Sequence, residues 1–224
     1  MRQRQLYLSI IYSALCFTHG VVMAQSSTHI VLPSPVLKGK QSLEAVLQSR
    51  RSVREYPDTA VSLLQIGQLL WAAQGITHSS GYRTAPSAGA LYPLELYVVS
   101  NNVDGLRQGI YHYLPKGHQL VKASNLEVRE TLAEAALFQE SIQQAAAVIV
   151  FTAVYARTEK KYGKRAARYV HIEVGHAAEN LFLQAESIGL ATVVVGAFHD
   201  GEVSKVLQLP TDHAPLLLMP IGLK

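Results

Sequence analysis

The chain has 224 residues, of which 49% are hydrophobic and 16% are charged, and its formal net charge is +4. A chain of this length and composition can bury one full hydrophobic core. That excludes a disordered tail, a collagenous repeat and a miniature scaffold held together by disulfides.

The first 24 residues are typical of an export signal. Arg2 and Arg4 precede an apolar stretch from 6 to 22, and Ala24 ends a small-residue site of the kind that signal peptidase cleaves. We therefore expect residues 1–24 to be a signal peptide, and the mature protein to be periplasmic or secreted with no stable membrane span. The alternative is an uncleaved anchor, although about 17 apolar residues interrupted by polar ones lie at the lower limit for a span.

Cleavage of this segment would change both the charge and the chemistry of the mature chain. It removes Arg2 and Arg4, and the nearly balanced charge that remains does not predict a nucleic-acid partner. It also removes Cys16, the only cysteine, and therefore excludes thiol catalysis and disulfides in the mature domain.

Residues 25–41 are rich in Ser, Thr, Pro and Gly and are predicted to be a linker or arm before a domain over 42–224. Hydrophobic periodicity, capping residues and turn signals then predict the elements of that domain. Helices are expected from 42 to about 49, 62–75, 126–137, 166–189 and 200–207. Strands are expected at 94–100, 109–114, 118–122, 147–155, 190–198 and 215–223. The class is therefore α+β, with a mixed central sheet flanked by helices.

Several common chemistries find no support in the sequence. No Gly-x-Gly-x-x-Gly follows a strand, and neither a phosphate loop nor a Gly-x-Ser-x-Gly elbow is present. His171 and His176 are five residues apart, whereas zinc ligands on one helix face need a spacing of four. We interpret these two residues and Glu173 as side chains of a polar seam on the helix, and we predict no metal site.

A cationic segment follows the first predicted helix. Arg50, Arg51, Ser52 and Arg54 place three guanidinium groups and a hydroxyl within five residues. Because the arginine fork matches phosphate and carboxylate oxygens, the segment is suited to an anionic ligand. A solvated basic corner is the alternative interpretation.

A second candidate segment spans 83–93. It combines small residues, a hydroxyl and two prolines, which allows the backbone to approach a flat ligand closely. An ordinary loop between a helix and a strand is the alternative.

These segments carry a resemblance to the nitroreductase family, and in particular to its SagB-type (ThcOx-type) dehydrogenases. The string Pro86-Ser87-Ala88-Gly89-Ala90-Leu91-Tyr92-Pro93 is the most specific match. Other matching segments occur in the family's order at 50–54, 109–113, 168–169, 173–181 and 189–190. The resemblance covers about 42–222, nearly the whole predicted domain. It implies a nitroreductase-like fold, a homodimer, and non-covalent FMN at the interface between subunits.

The resemblance also assigns residues to the phosphate end of FMN. Arg50 and Ser52 match positions that hold the phosphate and the ribityl chain, with Arg51 beside them. Classical members continue into a basic tail that contacts the phosphate. In this chain we expect Lys224 or Arg168 to take its place.

Other residues match positions around the flavin ring. Arg54 matches the cation near the pyrimidine end, where positive charge stabilises reduced flavin. The positions along the flavin ring are matched by Pro86, Ser87 and Ala88. The strand end that reaches the flavin N5 atom is matched by Val194, Val195 and Gly196.

Lys161 and Tyr162 match a Lys-Tyr pair to which a proton-transfer role has been given in SagB-type enzymes. A lysine beside a phenol can accept and donate protons, and the pair is the candidate catalytic site. The alternative is that residues 159–165 form a solvated charged loop between a strand and a helix.

The resemblance leads to one main functional prediction and two alternatives. We expect an FMN-dependent oxidoreductase that passes electrons in a ping-pong cycle from NAD(P)H to a small organic acceptor such as a nitroaromatic, a quinone or a flavin. One alternative is a SagB-type dehydrogenase or oxidase of an azoline-like or peptide substrate. The other is a flavin-binding module without catalysis.

Overall fold

The structure is a computed structural model that describes residues 29–224. The predicted signal peptide and Cys16 lie outside the described residues. Within residues 29–224, no helix is both long and apolar enough to cross a membrane.

The described residues form nine strands and seven α-helices, and one domain core sits between their layers. In chain order the elements are β1 (His29–Val31), α1 (Leu43–Ser49), β2 (Val61–Ser62), α2 (Leu63–Gln74), β3 (Leu94–Ser100), β4 (Val103–Asp104), β5 (Gly109–Leu114), β6 (Gln119–Ser124), α3 (Arg129–Ala135), α4 (Glu140–Gln144), β7 (Ala147–Ala153), α5 (Tyr155–Tyr162), α6 (Ala166–Ser187), β8 (Leu190–Thr192), α7 (Asp200–Val206) and β9 (Ala214–Leu223).

Seven of these strands form one sheet in the order β1-β6-β5-β3-β7-β9-β8, and every neighbouring pair is antiparallel. The sequence prediction of a mixed sheet is corrected here, because the only parallel pair among residues 29–224 is the small one between β2 and β4. Long apolar strands such as β7 resemble parallel strands in sequence. Here they are apolar because helices cover both faces of an antiparallel sheet.

The helices bury the two faces of the sheet in separate clusters. On one face α2 and α6 contribute Ile66, Leu70 and Leu181, which are all fully buried. On the other face α3 and α7 contribute Leu132 and Val203. Because each large apolar side chain stabilises the fold by roughly 1.5–3 kcal/mol when buried, these layers fix α6 against the sheet.

Serine caps begin the first two helices as the sequence predicted. The Ser42 hydroxyl accepts a hydrogen bond from the Ala45 amide, and Ser62 forms a reciprocal capping box with Gln65. Gly75 ends α2, where a Cβ would clash with Trp71. Helix α6 runs almost the full predicted length.

Four boundaries differ from the sequence prediction. Part of the predicted arm forms β1, which pairs with β6 at the sheet edge and is followed by buried Leu32. The predicted helix over 126–137 is shorter and is followed by α4, which five residues with little apolar periodicity could not reveal. The strand predicted over 190–198 ends at Thr192, and only Val195 returns to pair with Leu218.

The fourth difference concerns the charged run over 159–165. The alternative interpretation of the sequence was a solvated loop here, but the chain is helical through Tyr162 and continues into a 3-10 turn at Gly163–Arg165. Only Thr158 of α5 is buried, so the helix has no apolar stripe that a sequence pattern could detect.

Candidate active site

The cationic segment 50–54 lies beside the end of β8. The Val53 amide donates to the Thr192 carbonyl oxygen at 3.0 Å. The hydroxyl of buried Tyr56 donates to the Val53 carbonyl oxygen at 2.8 Å, and its ring packs against Gly222 of β9. The segment is therefore attached to the sheet at both of its sides.

The side chains of this segment stay largely accessible. Arg50 is half-buried, with its guanidinium 4.5 Å from the Phe182 ring centroid and 3.9 Å from the Glu179 carboxylate. Arg51, Ser52 and Arg54 are exposed. A guanidinium held over an aromatic ring keeps outward-facing N–H donors, so the segment can bind an anion at the surface.

Lys224, which with Arg168 was expected at the phosphate end of the ligand, lies close to the same segment. Its ammonium group is 2.7 Å from the Glu186 carboxylate. Burial would raise the pKa of Glu186, but hydrogen bonds from Lys224 and Ser49 and the charge of Arg51 lower it below its ordinary value. Arg168 is exposed on the first turn of α6 and forms no ion pair within residues 29–224.

The loop 83–93 has a defined shape. The Ser87 hydroxyl accepts a hydrogen bond from the Tyr92 amide at 2.9 Å, and Ala88–Ala90 form a 3-10 turn. The loop is fixed to α6 because the Asn180 side chain donates to the Thr84 carbonyl oxygen at 3.3 Å. Pro86 is exposed while Ser87 and Ala88 are half-buried, so this part of the loop faces the surface of the site.

The structure brings Lys161 and Tyr162 against this loop. Gly89 has a φ of +65°, and a Cβ added there would lie 2.9 Å from Lys161 Nζ and 3.0 Å from Tyr162 Oη. Tyr162 also packs on Tyr169, with ring centroids 4.6 Å apart. The two side chains are thus held by α5 and α6 at the tip of the loop.

The segment Val194-Val195-Gly196 offers two free amides. Val195 exchanges two backbone hydrogen bonds of 2.9 Å with Leu218, so its N–H is already used. Val194 and Gly196 are exposed, and within the described part of the chain their N–H groups have no backbone acceptor. A ligand at this strand end can therefore be bound by the Val194 or Gly196 amide, and not by that of Val195.

Helix α6 contacts the loop 83–93, Arg50 and Tyr162, and the strand end before residues 194–196 is joined to the cationic segment through Val53. The loop 83–93 contacts the helix near Glu173 and Asn180, and Arg50 contacts it at Glu179 and Phe182. Phe182 follows Glu173 by nine positions, which corresponds to about 14 Å along the helix axis. We call the surface formed by residues 50–54, 86–89, 161–162 and 194–196 the α6 strip.

Sequence reasoning did not identify Glu173 as a site residue. Its side chain is only 2% exposed, and its Oε1 atom has no hydrogen-bond partner within residues 29–224. Burial raises the pKa of Glu173 to about 7, although the Ser87 hydroxyl and the charge of Arg83 oppose the shift. A detectable signal was its position among the core residues Val170, Val174 and Ala177, where a carboxyl group is out of place.

A large cavity lies next to the strip rather than on it. A groove of about 890 Å³ runs between residues 36–41, α1, α2 and α6, and its walls include Leu43, Leu64 and Leu183. It reaches Thr84 and Asn180, whose hydrogen bond fixes the loop 83–93 to α6.

Comparison with known proteins identifies the family. The model of the nitroreductase family matches residues 47–223. The chain therefore belongs to the nitroreductase family of oxidoreductases, as its resemblance predicted, and it is an enzyme of that class.

Individual relatives agree with this assignment. The nitroreductase-type protein MJ1384 of Methanocaldococcus jannaschii is 48% identical over 182 residues, which cover 81% of this chain and 91% of the relative. The microcin B17-processing protein McbC of Escherichia coli is 28% identical, and the match spans 62% of this chain but only 54% of McbC. A solved nitroreductase-type structure from Ralstonia eutropha, 29% identical, superposes with a TM-score of 0.75 over 87% of this chain and 88% of its own. The nitroreductase-like α+β fold is confirmed.

Proposed function

We propose that the protein binds FMN along the α6 strip and transfers electrons from NAD(P)H to a small organic acceptor such as a nitroaromatic, a quinone or a flavin. One observation carries this proposal. The strip joins a cationic segment at one end, two free backbone amides at the strand end, and a Lys-Tyr pair against a glycine loop.

The residues present fit an elongated, anionic, flat ligand. Arg50, Arg51 and Ser52 supply donors for a phosphate group, with Lys224 close by through Glu186. A Cβ at Gly89 would crowd Lys161 and Tyr162, so glycine lets the loop backbone approach this pair closely.

FMN, when bound, supplies hydride and electron transfer chemistry at its N5 atom. The protein groups around it orient and stabilise charge. Arg54 supplies positive charge for the anionic reduced ring, and the free amide of Val194 or Gly196 donates to the reacting edge. Lys161 and Tyr162 hold protons at the tip of the loop for the reaction of the substrate.

The proposal is tested by the visible spectrum of the full-length protein incubated with excess FMN, desalted, and mixed with NADPH or NADH without oxygen. We expect retained flavin that is bleached by the donor and reoxidised by a quinone. The double variant Arg50→Ala/Arg54→Ala should lose the flavin, whereas Arg107→Ala, which removes an exposed guanidinium elsewhere, should keep it. Absence of retained flavin in the unmodified protein would refute the proposal.

Oxidation of an azoline-like or peptide substrate is a second candidate, as in SagB-type dehydrogenases. It is supported by the contact of Lys161 and Tyr162 with Gly89 and by the similarity to McbC. We expect Lys161→Ala and Tyr162→Phe to keep bound FMN but to lose turnover, and Lys160→Ala to be a neutral control. Bound flavin that NAD(P)H does not reduce would favour this candidate or a binding module, while unchanged turnover in both variants would remove the pair from the mechanism.

A homodimer is also proposed, because α1 and α6, which contact each other, expose large apolar side chains. Leu43 and Leu47 of α1 are 59% and 53% exposed, and Ile172 of α6 is 48% exposed. Exposed apolar residues grouped on adjacent helices are typical of subunit interfaces. A second copy of the chain would cover them and complete the flavin site.

Export of the protein is proposed from residues 1–24 alone. The basic start, the apolar stretch and Ala24 support cleavage by signal peptidase. Cell fractionation with N-terminal sequencing should find a chain that begins at Gln25 outside the cytoplasm, whereas a chain retaining Met1 would favour the anchor.

A further inference from the structure

The Ser87 hydroxyl lies between two different partners. On one side it accepts a hydrogen bond from the Tyr92 amide at 2.9 Å, and on the other the carboxyl group of Glu173 is near enough for the hydroxyl to lower its pKa. A hydroxyl has one hydrogen to donate and two lone pairs with which to accept. Because Tyr92 uses one lone pair, the hydrogen and the other lone pair remain for Glu173 and for a ligand on the strip.

The protonation state of Glu173 decides whether the Ser87 hydrogen points to Glu173 or to the ligand. An ionised carboxylate only accepts, so the Ser87 hydroxyl must point inward to donate to it. A protonated carboxyl can donate to the free lone pair of Ser87, which releases the hydroxyl hydrogen toward the surface of the site. The Oε1 atom of Glu173 is buried and has no hydrogen-bond partner within residues 29–224, so this oxygen is able to accept the Ser87 hydrogen.

We propose that Glu173 is a positioning residue whose protonated form turns the Ser87 hydroxyl outward to donate a hydrogen bond to an acceptor atom of the flavin ring. This inference rests on the proposed FMN site. It implies that flavin binding takes up a proton at Glu173 when the solution is alkaline, and that the affinity for flavin falls as Glu173 ionises. The burial of Glu173, which favours the neutral carboxyl, agrees with this role.

The charged groups near Glu173 do not explain a loss of flavin affinity with rising pH in its place. Arg83, after α2, attracts the carboxylate, and it is itself hydrogen-bonded to Gln74 and stacked on Tyr92. From β3 and α5 the neighbouring charges are Glu95 and Arg157, which form an ion pair with each other.

Two further titratable side chains, Lys161 and Tyr162 of α5, face Gly89 at the tip of the loop. Along α6 the titratable side chains within about one turn of Glu173 are Tyr169, which packs on Tyr162, and the exposed His171 and His176, of which His171 shares a hydrogen bond with Tyr155. Substitution of Glu173 itself therefore separates its titration from theirs.

The test measures dissociation constants of the flavin-depleted, full-length protein by quenching of flavin fluorescence between pH 5.5 and 8.5. Riboflavin is used beside FMN, because the FMN phosphate itself titrates near pH 6 and riboflavin has no phosphate. We expect riboflavin affinity to fall about three- to tenfold as pH rises, which is the worth of one hydrogen bond. In Glu173→Gln the amide N–H donates to Ser87 at every pH, so affinity should stay high and independent of pH.

Two variants control this experiment. Ser87→Ala should bind riboflavin weakly with no dependence on pH, because the hydroxyl that Glu173 directs is gone. In Glu130→Gln, which replaces an exposed carboxylate of α3 on the other face of the sheet, the pH dependence of the unmodified protein should remain.

A pH dependence that persists unchanged in Glu173→Gln, or flavin affinity that does not vary with pH in the unmodified protein, would overturn the inference while leaving the FMN site intact. Failure of the unmodified protein to bind either flavin would overturn both.

Discussion

Glu173 and Gly89 are the two residues of the candidate site at which we expect a single substitution to have the largest effect. One is a buried carboxyl group whose Oε1 lacks a partner within residues 29–224. The other is a left-handed glycine against which Lys161 and Tyr162 pack. Neither role follows from residue type alone, because both depend on contacts between segments more than 70 residues apart in sequence.

The raised pKa of Glu173 should be visible in the stability of the flavin-free protein. Below pH 4.5 the carboxyl is protonated in both the folded and the unfolded chain. As pH rises from 4.5 toward about 7, the unfolded chain releases its proton first, so stability is lost through this interval and then levels off. We expect the free energy of unfolding in urea to fall between pH 5 and pH 8, and this fall to be smaller by about 1–3 kcal/mol in Glu173→Gln.

The matched control for this measurement is Glu130→Gln. Because Glu130 is exposed, its substitution should leave the pH dependence of unfolding unchanged. Equal pH dependence in the unmodified protein and in Glu173→Gln would show that the carboxyl is not held neutral by the fold.

Gly89→Ala should damage the candidate site more than the fold. The new methyl group would lie within 3.0 Å of Lys161 Nζ and Tyr162 Oη, and the left-handed φ adds roughly 1–2 kcal/mol of strain. Gly81→Ala is the control, because Gly81 also has a positive φ but no atom lies within 4 Å of its added Cβ. We expect similar melting temperatures for the two variants and a loss of turnover only in Gly89→Ala. Equal turnover in both would separate the Lys-Tyr pair from catalysis.

Hydrophobic periodicity predicted the long, buried helices and strands and missed the shorter segments near the candidate site. Helices α2 and α6 and strands β3 and β7 agree with the predicted segments, because a sheet face fixes which of their residues are apolar. Helix α5 escaped detection since it is exposed on most sides. The strand predicted over 190–198 ends at Thr192, and of residues 193–196 only Val195 pairs with the sheet again, which leaves the amides of Val194 and Gly196 without a backbone acceptor within residues 29–224.

Tyr56 joins the sheet to the cationic segment, and its hydroxyl can be removed without changing its ring. In Tyr56→Phe the hydrogen bond of 2.8 Å to the Val53 carbonyl oxygen is lost, which should cost about 1 kcal/mol of stability. Because Val53 lies between Ser52 and Arg54, we also expect weaker FMN binding by about three- to tenfold, measured by fluorescence quenching.

Tyr111→Phe provides the comparison. Tyr111 of β5 is also buried, and its hydroxyl donates to the Arg107 carbonyl oxygen at 2.8 Å, away from the strip. Its substitution should lower stability by a similar amount and leave FMN affinity unchanged. Equal losses of affinity in the two variants would mean that Tyr56 acts through general stability and not through the segment.

At the scale of the whole molecule, motifs predicted the family, whereas the arrangement of the site came only from the fold. The antiparallel sheet places β8 beside residue 53, and α6 then aligns segments that are far apart in sequence. Spacing in the sequence carries no record of such contacts, which depend on how two helical layers pack on one sheet. The same packing leaves apolar side chains of α1 and α6 uncovered in the single chain.

Introducing a charge at Ile172 should therefore separate the subunits. Ile172 is 48% exposed on α6, and burying a glutamate carboxylate there against a second copy carries a large desolvation cost. We expect Ile172→Glu to elute as a folded monomer by size-exclusion chromatography with light scattering and to lose FMN, because both subunits are proposed to shape each site. Leu126→Glu, at a residue 50% exposed before α3, should remain dimeric and yellow. A dimer that survives in Ile172→Glu would place the subunit interface on another face of the molecule, and a monomer that keeps its flavin would mean that one chain suffices to hold it.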